Sequence, residues 1–416
     1  MMRLGLALLA AVVLALGPAA LQAQSPVKIG VITSLTGNAA VAGQSTKAAI
    51  EVGADIVNTP HPEMAAILLS ANAGLPRLGG AKVELVVADS QGNPSVGQSE
   101  ALRLITQEKV VAIEGAYQSS VTLSATPVAE RYGIPWLVGD SSSANITGRG
   151  FKSVFRTTFV GWQIAKTYMD FLADTGRTGH PVKTVAIVSE NTEYGTNTGG
   201  AIVDAAKDHG YQVIARIPYN ANARDVSAEV LQLKEKNPDV VIFVSYTSDA
   251  ILFMKTFRSL GYHPKMVMAE DAGFSDPAFV SNVGDIAQGV VNRSAWSAGK
   301  PGSPTDKINE MYKAKTQRDL DDNSARNLQG FLVLVDAINR AGSTNPDAIR
   351  AALAATNLTS KQMIIGFKGV RFDKTGQNVL TSTYITQLVA DRYLVVWPRA
   401  AAEHALIYPF LGASVK

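Results

Sequence analysis

Hydroxyl side chains gather in two short turns of this sequence, and hydroxyl groups beside backbone N–H groups are suited to holding a small anion. The first turn follows an apolar run at 110–113 and contains Ser119 and Ser120. The second follows an apolar run at 134–138 and consists of four short polar residues, Asp140, Ser141, Ser142 and Ser143. If the two runs are neighbouring parallel strands, both turns lie at their carboxyl ends, where helix N-termini supply N–H donors and a positive dipole. The spacing therefore indicates a small-anion site.

These serines have a plainer alternative role, because serine at such positions most often caps a helix or forms a turn. For any single serine the capping role is favoured. The presence of two such turns in one βαβ unit shifts the balance modestly toward a bound ligand.

Residue patterns typical of catalysis are not found in the sequence. No two of the five histidines have the i, i+4 spacing of a helical metal site, and they occur at positions 61, 180, 209, 263 and 404. There is no G-x-S-x-G turn and no G-x-G-x-x-G loop after a strand. These patterns give no support to an enzymatic role, although acid–base catalysis by some of the many carboxylates stays open, and we predict neither a cofactor nor a metal ion.

Strand and helix patterns alternate through the first part of the chain. A helix is predicted from the first serine turn to Tyr132, with Gly133 as its left-handed cap and Pro135 beyond it. The preceding pattern consists of strands at 27–33, 82–88 and 110–113 and helices at 43–57 and 94–107. This βαβαβαβ order predicts a parallel sheet with right-handed crossovers. An irregular excursion rich in proline and glycine interrupts it at 59–80.

The alternation restarts after Thr158 and indicates a second array of similar size. Its predicted strands are 184–189, 211–217, 240–245 and 265–269, and its predicted helices are 163–174, 195–209 and 249–260. Further helices are predicted at 305–317, 323–340 and 346–356. Two apolar runs, 384–389 and 393–397, are separated by Asp391 and Arg392 and predict a terminal hairpin.

The first 23 residues resemble a secretory signal peptide, with Arg3 before an apolar stretch and small residues near a cut after Ala23. The apolar stretch is shorter than the ~20 residues that a membrane span takes. The chain has no cysteine, which excludes disulfides and the lipidated cysteine of a bacterial lipoprotein. We therefore expect a periplasmic protein without a lipid anchor.

Composition and charge narrow the class of partner. Hydrophobic residues make up 46% of the 416 residues, which is typical of a globular α/β protein of about two domains. Removing the predicted signal removes Arg3 and leaves 37 basic and 35 acidic residues. A net charge of +2 without a block of basic residues does not indicate a nucleic-acid-binding surface.

Four stretches together resemble one protein family over essentially the whole predicted mature chain. They are VKIGVITSLTGNAAVAGQSTKAAIEVG, GAYQSSVTLSATPVAERYGIPWLVGDSSSANIT, SENTEYGTNTGG and the segment RSLGY followed by AEDAGFSD. In order and spacing they resemble the type I periplasmic binding proteins of the leucine/isoleucine/valine-binding kind, which deliver solutes to ABC importers.

The resemblance implies an α/β fold of two doubly wound parallel-sheet lobes joined by three hinge crossovers. The crossovers are expected near Thr157, Ser294 and Asn378. Lobe one would then comprise 24–157 with 295–378, and lobe two 158–294 with 379–416.

The same resemblance implies a ligand site between the lobes. Family members hold the ligand carboxylate at two turns that match Ser119, with Ser120, and Ser142, with the backbone of Asp140 and Ser141. An acidic residue of lobe two that meets the ligand ammonium matches Asp271, with Glu270 as the alternative. Aromatic residues that close over the ligand match Tyr194 and Tyr246. Without the resemblance, ordinary roles at helix starts, strand ends and turns would be favoured for Asp271 and the two tyrosines.

Asp140 departs from the family pattern, since amino-acid binders usually carry a small neutral residue there. A carboxylate facing the ligand would disfavour a purely aliphatic amino acid, and capping of a following helix is the favoured alternative. The excursion 59–80 is longer than in compact members and is expected to alter the cleft rim.

The sequence thus predicts a monomeric periplasmic protein that captures a small-molecule ligand by hinge closure and presents it to the membrane permease subunits of an ABC importer. The expected ligand is an amino acid, branched-chain or similar, or another small carboxylate. Two alternatives stay open: a binder or sensor of amides, urea or aromatic carboxylates, and an exported hydrolase.

Overall fold

The computed structural model describes residues 24–270, 272–410 and 412. The predicted signal peptide and Asp271 lie outside the described residues. Two large sheets and one two-stranded ribbon are formed by the strands β1 (Val27–Thr33), β2 (Val83–Asp89), β3 (Ala112–Gly115), β4 (Trp136–Val138), β5 (Val154–Arg156), β6 (Thr184–Glu190), β7 (Gln212–Tyr219), β8 (Val240–Val244), β9 (Val267–Ala269), β10 (Val291–Ser294), β11 (Asn357–Thr359), β12 (Gly369–Arg371), β13 (Tyr384–Val389) and β14 (Arg392–Trp397).

Helices cover both large sheets. They are α1 (Ala40–Asn58), α2 (Pro94–Thr106), α3 (Ser119–Tyr132), α4 (Gly161–Arg177), α5 (Glu193–Asp208), α6 (Ser227–Lys236), α7 (Thr247–Ser259), α8 (Ala272–Ser275), α9 (Pro277–Val283), α10 (Pro304–Thr316), α11 (Asp322–Ala341) and α12 (Pro346–Ala354). Within the part of the chain that the structure describes, no helix has both the length and the apolar character needed to cross a membrane.

The first sheet has the order β2-β1-β3-β4-β5, and all its strands are parallel. The predicted βαβαβαβ order is confirmed. β3 and β4 are direct neighbours, with Glu114 opposite Leu137, so the two serine turns do follow adjacent carboxyl ends. Gly133 ends α3 at φ 68°, a left-handed conformation that glycine adopts without steric cost.

The second sheet has the order β14-β13-β10-β9-β8-β6-β7. The strands from β7 to β10 are parallel, whereas β13 pairs antiparallel with β10 and β14 antiparallel with β13. The predicted terminal hairpin is therefore confirmed, and it extends the sheet at its β10 edge. The predicted helices and strands of this part are also present, with ends shifted by one to three residues.

α11 packs on β3 and β4 of the first sheet and contributes to the largest hydrophobic core among the described residues. It lies against α1, where a side chain on Gly53 would come within 2.7 Å of Leu328 and Phe331. Only glycine permits this close approach of the two helices. The 59–80 excursion contains two single-turn 3₁₀ helices, Pro62–Met64 and Pro76–Leu78.

The excursion packs on the end of α11 that is remote from the predicted site. The backbone N–H of Arg77 donates to Asn339 Oδ1 at 3.0 Å, and its guanidinium donates to the Arg340 carbonyl at 2.5 Å. None of its residues lines the cavity described below. The expectation that it alters the cleft rim stays a prediction, and its buried apolar residues belong to the same hydrophobic core as those of α1 and α11.

Candidate functional site

A narrow cavity lies between the two sheets. Side chains from both sheets and from α11 line it: Tyr117, Ser119, Asp140, Ser141, Ser142, Phe159, Tyr194, Tyr246, Glu270, Arg293, Asn323 and Arg326. Seven of the residues named from sequence are thus brought together, counting the alternative Glu270; Ser120 does not line the cavity.

The first serine turn brings the N-terminus of α3 to the cavity. Ser119 is the first residue of α3, and the cap position is held by Gln118, whose side chain makes no capping bond. Ser119 therefore does not serve as a helix cap, and its hydroxyl accepts from the N–H of Ser143 at 3.4 Å. With its 14 residues, α3 presents the positive end of its dipole at this point.

The second serine turn is built differently from the first. No helix follows it: residues 144–149 form turns, and the next regular element is β5. The carbonyls of Ser141 and Ser143 instead accept from the buried guanidinium of Arg156, at 3.1 and 2.6 Å. Burial lowers the pKa of Arg156 to about 9. Its hydrogen bonds to these two carbonyls hold the backbone of the turn in place.

Asp140 lines the cavity and does not cap a helix. Its Oδ1 accepts from Arg326 Nη1 at 2.5 Å, while its Oδ2 is buried and has no hydrogen-bond partner among the described residues. Burial raises the pKa of Asp140, and the positive charge of Arg326 offsets only part of that effect. The favoured expectation of a helix cap is therefore wrong, because the chain turns toward β5 after Asp140 and α11 supplies a cation instead.

Aromatic and acidic side chains approach the cavity from the second sheet. The Tyr246 ring lies between those of Tyr117 and Tyr194, with centroid distances of 5.6 and 5.2 Å. The Tyr194 hydroxyl donates to the Glu270 carboxylate and contacts its carbonyl oxygen at 2.8 Å. Burial raises the pKa of Tyr246 well above its usual value, with nearby carboxylates adding to the effect. These rings form an apolar wall that contains hydroxyl groups.

Buried charged side chains near these rings are connected by successive ion pairs, which we call the ion-paired chain. Arg293 donates to Glu270 Oε1 at 2.8 Å, and Arg326 Nε donates to Asp322 Oδ2 at 2.8 Å. Asp322 also lies 3.6 Å from Arg293, and no side chain in these ion pairs is more than 7% exposed. Burial alone would raise the pKa of Asp322, but the two guanidiniums and a backbone N–H outweigh it and lower that pKa.

Phe159 packs against both guanidiniums. The Arg293 Cζ lies 3.7 Å from the centroid of the Phe159 ring, and the Arg326 Cζ lies 5.1 Å from it. Cation–π attraction of about 2 kcal/mol is expected for a desolvated pair. The ring thus holds the two arginines at the cavity floor.

Contacts across the cleft join the second serine turn to the start of α5. Ser142 Oγ lies 3.0 Å from Thr198 Oγ1, and the N–H of Ala144 donates to Asn197 Oδ1 at 2.9 Å. Glu193 Oε1 accepts from Ser143 Oγ at 2.6 Å and from Asn145 Nδ2 at 2.8 Å. These contacts connect elements of the two sheets directly beside the cavity.

Several lining residues were not predicted from the sequence. Arg293 leaves a signal, because a charged residue interrupts the buried strand β10. Arg326 leaves none, since an arginine in a long helix is ordinarily exposed. Tyr117 lies two residues before the predicted Ser119, and that proximity was a usable clue. Among the described residues there is no group of three or more acidic or histidine side chains suited to a metal ion.

The fold and this inter-sheet cavity define a bilobal solute-binding architecture, and comparison with known proteins agrees. The family model of the periplasmic binding proteins matches residues 26–392. The Leu/Ile/Val-binding protein homolog 8 of Brucella abortus (strain 2308) is 30% identical over 390 residues, covering 91% of this chain and 92% of the relative. The chain belongs to the type I periplasmic binding proteins of the leucine/isoleucine/valine-binding kind.

Solved structures share the fold at lower sequence identity. The branched-chain amino acid transporter substrate-binding protein LivJ from Streptococcus pneumoniae, in complex with isoleucine, has a TM-score of 0.75 at 19% identity, covering 92% of this chain and 100% of that one. A solute-binding protein of an ABC transporter from Rhodopseudomonas palustris, in complex with 3,4-dihydroxybenzoic acid, has a TM-score of 0.74 at 20% identity, covering 93% and 98%. These similarities support the two-sheet architecture.

Proposed function

We propose that this protein captures an amino acid, branched-chain or similar, in the cavity between its sheets and delivers it to an ABC importer. Family membership supports the solute-binding role. Among the solved structures with this fold, LivJ is described in complex with isoleucine. The protein would act in the periplasm as a monomer, and its partner would be the importer's membrane permease subunits.

The charge pattern of the cavity carries the proposal. The first turn of α3, with Ser119, and the turn with Ser142 offer N–H and hydroxyl donors to a carboxylate. Among the described residues, three buried carboxylates, those of Asp140, Glu270 and Asp322, face two guanidiniums in the ion-paired chain. An unpaired negative charge in a closed cleft is costly, so a ligand with both a carboxylate and an ammonium fits better than a plain carboxylate.

The two sheets with their helices would act as the two lobes of a closing cleft. Lobe one is the five-stranded sheet with α1–α3 and α10–α12, and lobe two is the seven-stranded sheet with α4–α9. The crossovers expected near Thr157, Ser294 and Asn378 then serve as the hinge. Ligand that contacts both lobes shifts the population toward the closed form, which the permease would recognise.

Mass spectrometry of small molecules released by denaturing the purified protein tests the ligand class. We expect an amino acid, released unchanged. Thermal-shift titration of amino acids, benzoates, amides and urea into ligand-free protein then ranks the candidates, since a ligand at a hundred times its Kd stabilises by about 2.7 kcal/mol. Chemical turnover of any compound would support the hydrolase alternative.

An aromatic carboxylate is the second candidate, and the three tyrosine rings at the cavity favour it. The structural neighbour from Rhodopseudomonas palustris is described in complex with 3,4-dihydroxybenzoic acid. Stabilisation by benzoates with no response to any amino acid would establish this candidate and overturn the amino-acid proposal.

A further inference from the structure

The carboxylate that receives the ligand's ammonium group can be inferred from the hydrogen-bond partners of the acids at the cavity. Glu270 on lobe two is already satisfied. Its Oε1 accepts two bonds from Arg293, at 2.8 and 3.2 Å, and its Oε2 accepts from the Tyr194 hydroxyl. A ligand ammonium at Glu270 would compete with an existing ion pair and would face the positive charge of Arg293. Glu270 is therefore a poor acceptor for a second cation.

Asp140 on lobe one has the opposite character. It is 7% exposed and lines the cavity, yet only Oδ1 is paired, with Arg326. Its Oδ2 is buried without a hydrogen-bond partner among the described residues. A buried acceptor left unsatisfied costs about 1–3 kcal/mol, and more when it is charged. Native structures rarely leave such an atom unsatisfied in their functional state.

Arg326 cannot neutralise Asp140 fully, because it is shared. Its Nε donates to Asp322 Oδ2 at 2.8 Å, and its Nη1 also contacts the Thr158 hydroxyl at 3.2 Å. Asp322 in turn lies between Arg326 and Arg293. Among the described residues, the surplus negative charge of the network and its one carboxylate oxygen without a hydrogen-bond partner therefore coincide at Asp140.

We propose that Asp140 Oδ2 receives the ligand's ammonium group. The inference rests on the proposed amino-acid function. Lobe one would then hold both ends of the amino-acid head group, with the carboxylate at Ser119 and Ser142 and the ammonium at Asp140. Glu270 would act through Arg293 and Tyr194, as a positioning residue for the lobe-two wall.

Calorimetry with matched ligand pairs tests this assignment. The pairs are leucine with 4-methylpentanoate, phenylalanine with 3-phenylpropanoate, and glutamate with glutarate, which differ only by the ammonium group. For a pair whose amino acid binds, Asp140→Asn should weaken that amino acid at least tenfold while changing the deaminated acid less than threefold. Glu270→Gln should weaken both members alike. Asp276→Asn, a buried lobe-two aspartate that caps α9 away from the cavity, is the matched control and should change neither.

The outcomes separate this inference from the proposed function. If no amino acid binds the wild-type protein, the proposed function fails and the inference fails with it. If amino acids bind but the selective loss is confined to Asp271→Asn or Glu270→Gln, only the inference is overturned. A crystal structure of the wild-type protein with its bound amino acid would show directly, without any variant, which carboxylate binds the ammonium group. We expect the ligand nitrogen within hydrogen-bonding distance of Asp140 Oδ2, and an ammonium bound by Glu270 or Asp271 alone would overturn the assignment.

Discussion

At the scale of single residues, the buried carboxyl of Glu114 in the first sheet is expected to make the stability of the protein depend on pH. Glu114 lies in β3, one residue before the last, it is fully buried, and neither of its oxygens has a hydrogen-bond partner among the described residues. Burial raises the pKa of Glu114 well above its usual value, and the charge of Asp140 adds to that rise. The folded protein therefore holds a proton on Glu114 at pH values where the unfolded chain has lost it.

Replacing Glu114 with Gln should stabilise the protein increasingly as the pH rises. Below the unfolded pKa of about 4.3, both states hold the proton and the variant should differ little from wild type. Above that pH, only the folded wild type holds it, so the contribution of Glu114 to wild-type stability falls by about 1.4 kcal/mol per pH unit up to the raised pKa, and the variant lacks this contribution. Denaturant unfolding of both proteins at pH 4.5, 6 and 7.5 measures the difference.

The exposed Glu84 on β2 of the same sheet provides the control for the Glu114 experiment. Glu84→Gln removes the same charge at the surface and should shift the unfolding free energy by less than about 0.5 kcal/mol at every pH. A stability difference for Glu114→Gln that stays constant between pH 4.5 and 7.5 would show that this carboxyl does not titrate differently on folding.

At the scale of elements, Arg156 at the end of β5 determines the shape of the second serine turn. Besides the two turn carbonyls, it donates to Gln377 Oε1 at 2.6 Å and to Thr147 Oγ1 at 2.9 Å. Arg156→Lys keeps the charge but loses the planar fork that reaches several acceptors at once. We expect it to destabilise the protein by about 2–4 kcal/mol and to weaken ligand binding, as measured by chemical unfolding and calorimetry.

Arg149→Lys is the matched control for Arg156→Lys. Arg149 also binds backbone carbonyls, those of Leu123 and Ile146, but it is only partly buried and does not touch the serine turn. It should cost less stability and leave ligand affinity unchanged. Equal losses of affinity in the two variants would mean that Arg156 has no special effect on the turn.

The order of the elements could be predicted from the sequence, because apolar runs, glycine stops and prolines are local signals. The left-handed Gly133 and the β13–β14 hairpin were predicted for such local reasons and are confirmed. The roles of Asp140 and Arg156 were not predicted, since they depend on partners 186 and up to 221 residues away in the chain. The residues lining the cavity were predicted in part, because the family resemblance indicates which distant residues come together, whereas local sequence patterns do not.

At the scale of the whole molecule, hydrogen bonds tie the proposed hinge crossovers to one another. Asn378 donates to the Thr157 carbonyl at 3.0 Å, and Gln377 donates to the Thr158 carbonyl at 2.9 Å, which joins the first crossover to the third. Asp322 accepts from the N–H of Trp296 at 2.9 Å and so anchors the second crossover to α11. The buried charge chain from Glu270 to Asp140 passes through this junction, so lobe motion and ligand charge are expected to be coupled.

The contacts of Glu193 across the cleft should hold the closed form and slow ligand release. Glu193→Ala removes two hydrogen bonds that a half-buried carboxylate accepts from lobe one, worth about 1–2 kcal/mol together. In the proposed closing motion these contacts form only in the closed state, so the loss should appear as a roughly five- to thirtyfold faster dissociation, with association nearly unchanged. Stopped-flow binding of an amino acid that the thermal-shift screen identifies measures both rates.

Asp204→Ala provides the control, because it removes the same charge from an exposed position on the same helix, α5. It should leave both rates unchanged. Small-angle scattering links the kinetics to shape: saturating amino acid should lower the radius of gyration of the wild-type protein, and Glu193→Ala should need a higher concentration to reach the same compact form. Identical scattering with and without ligand, together with an unchanged dissociation rate in Glu193→Ala, would mean that the lobes do not close on the ligand.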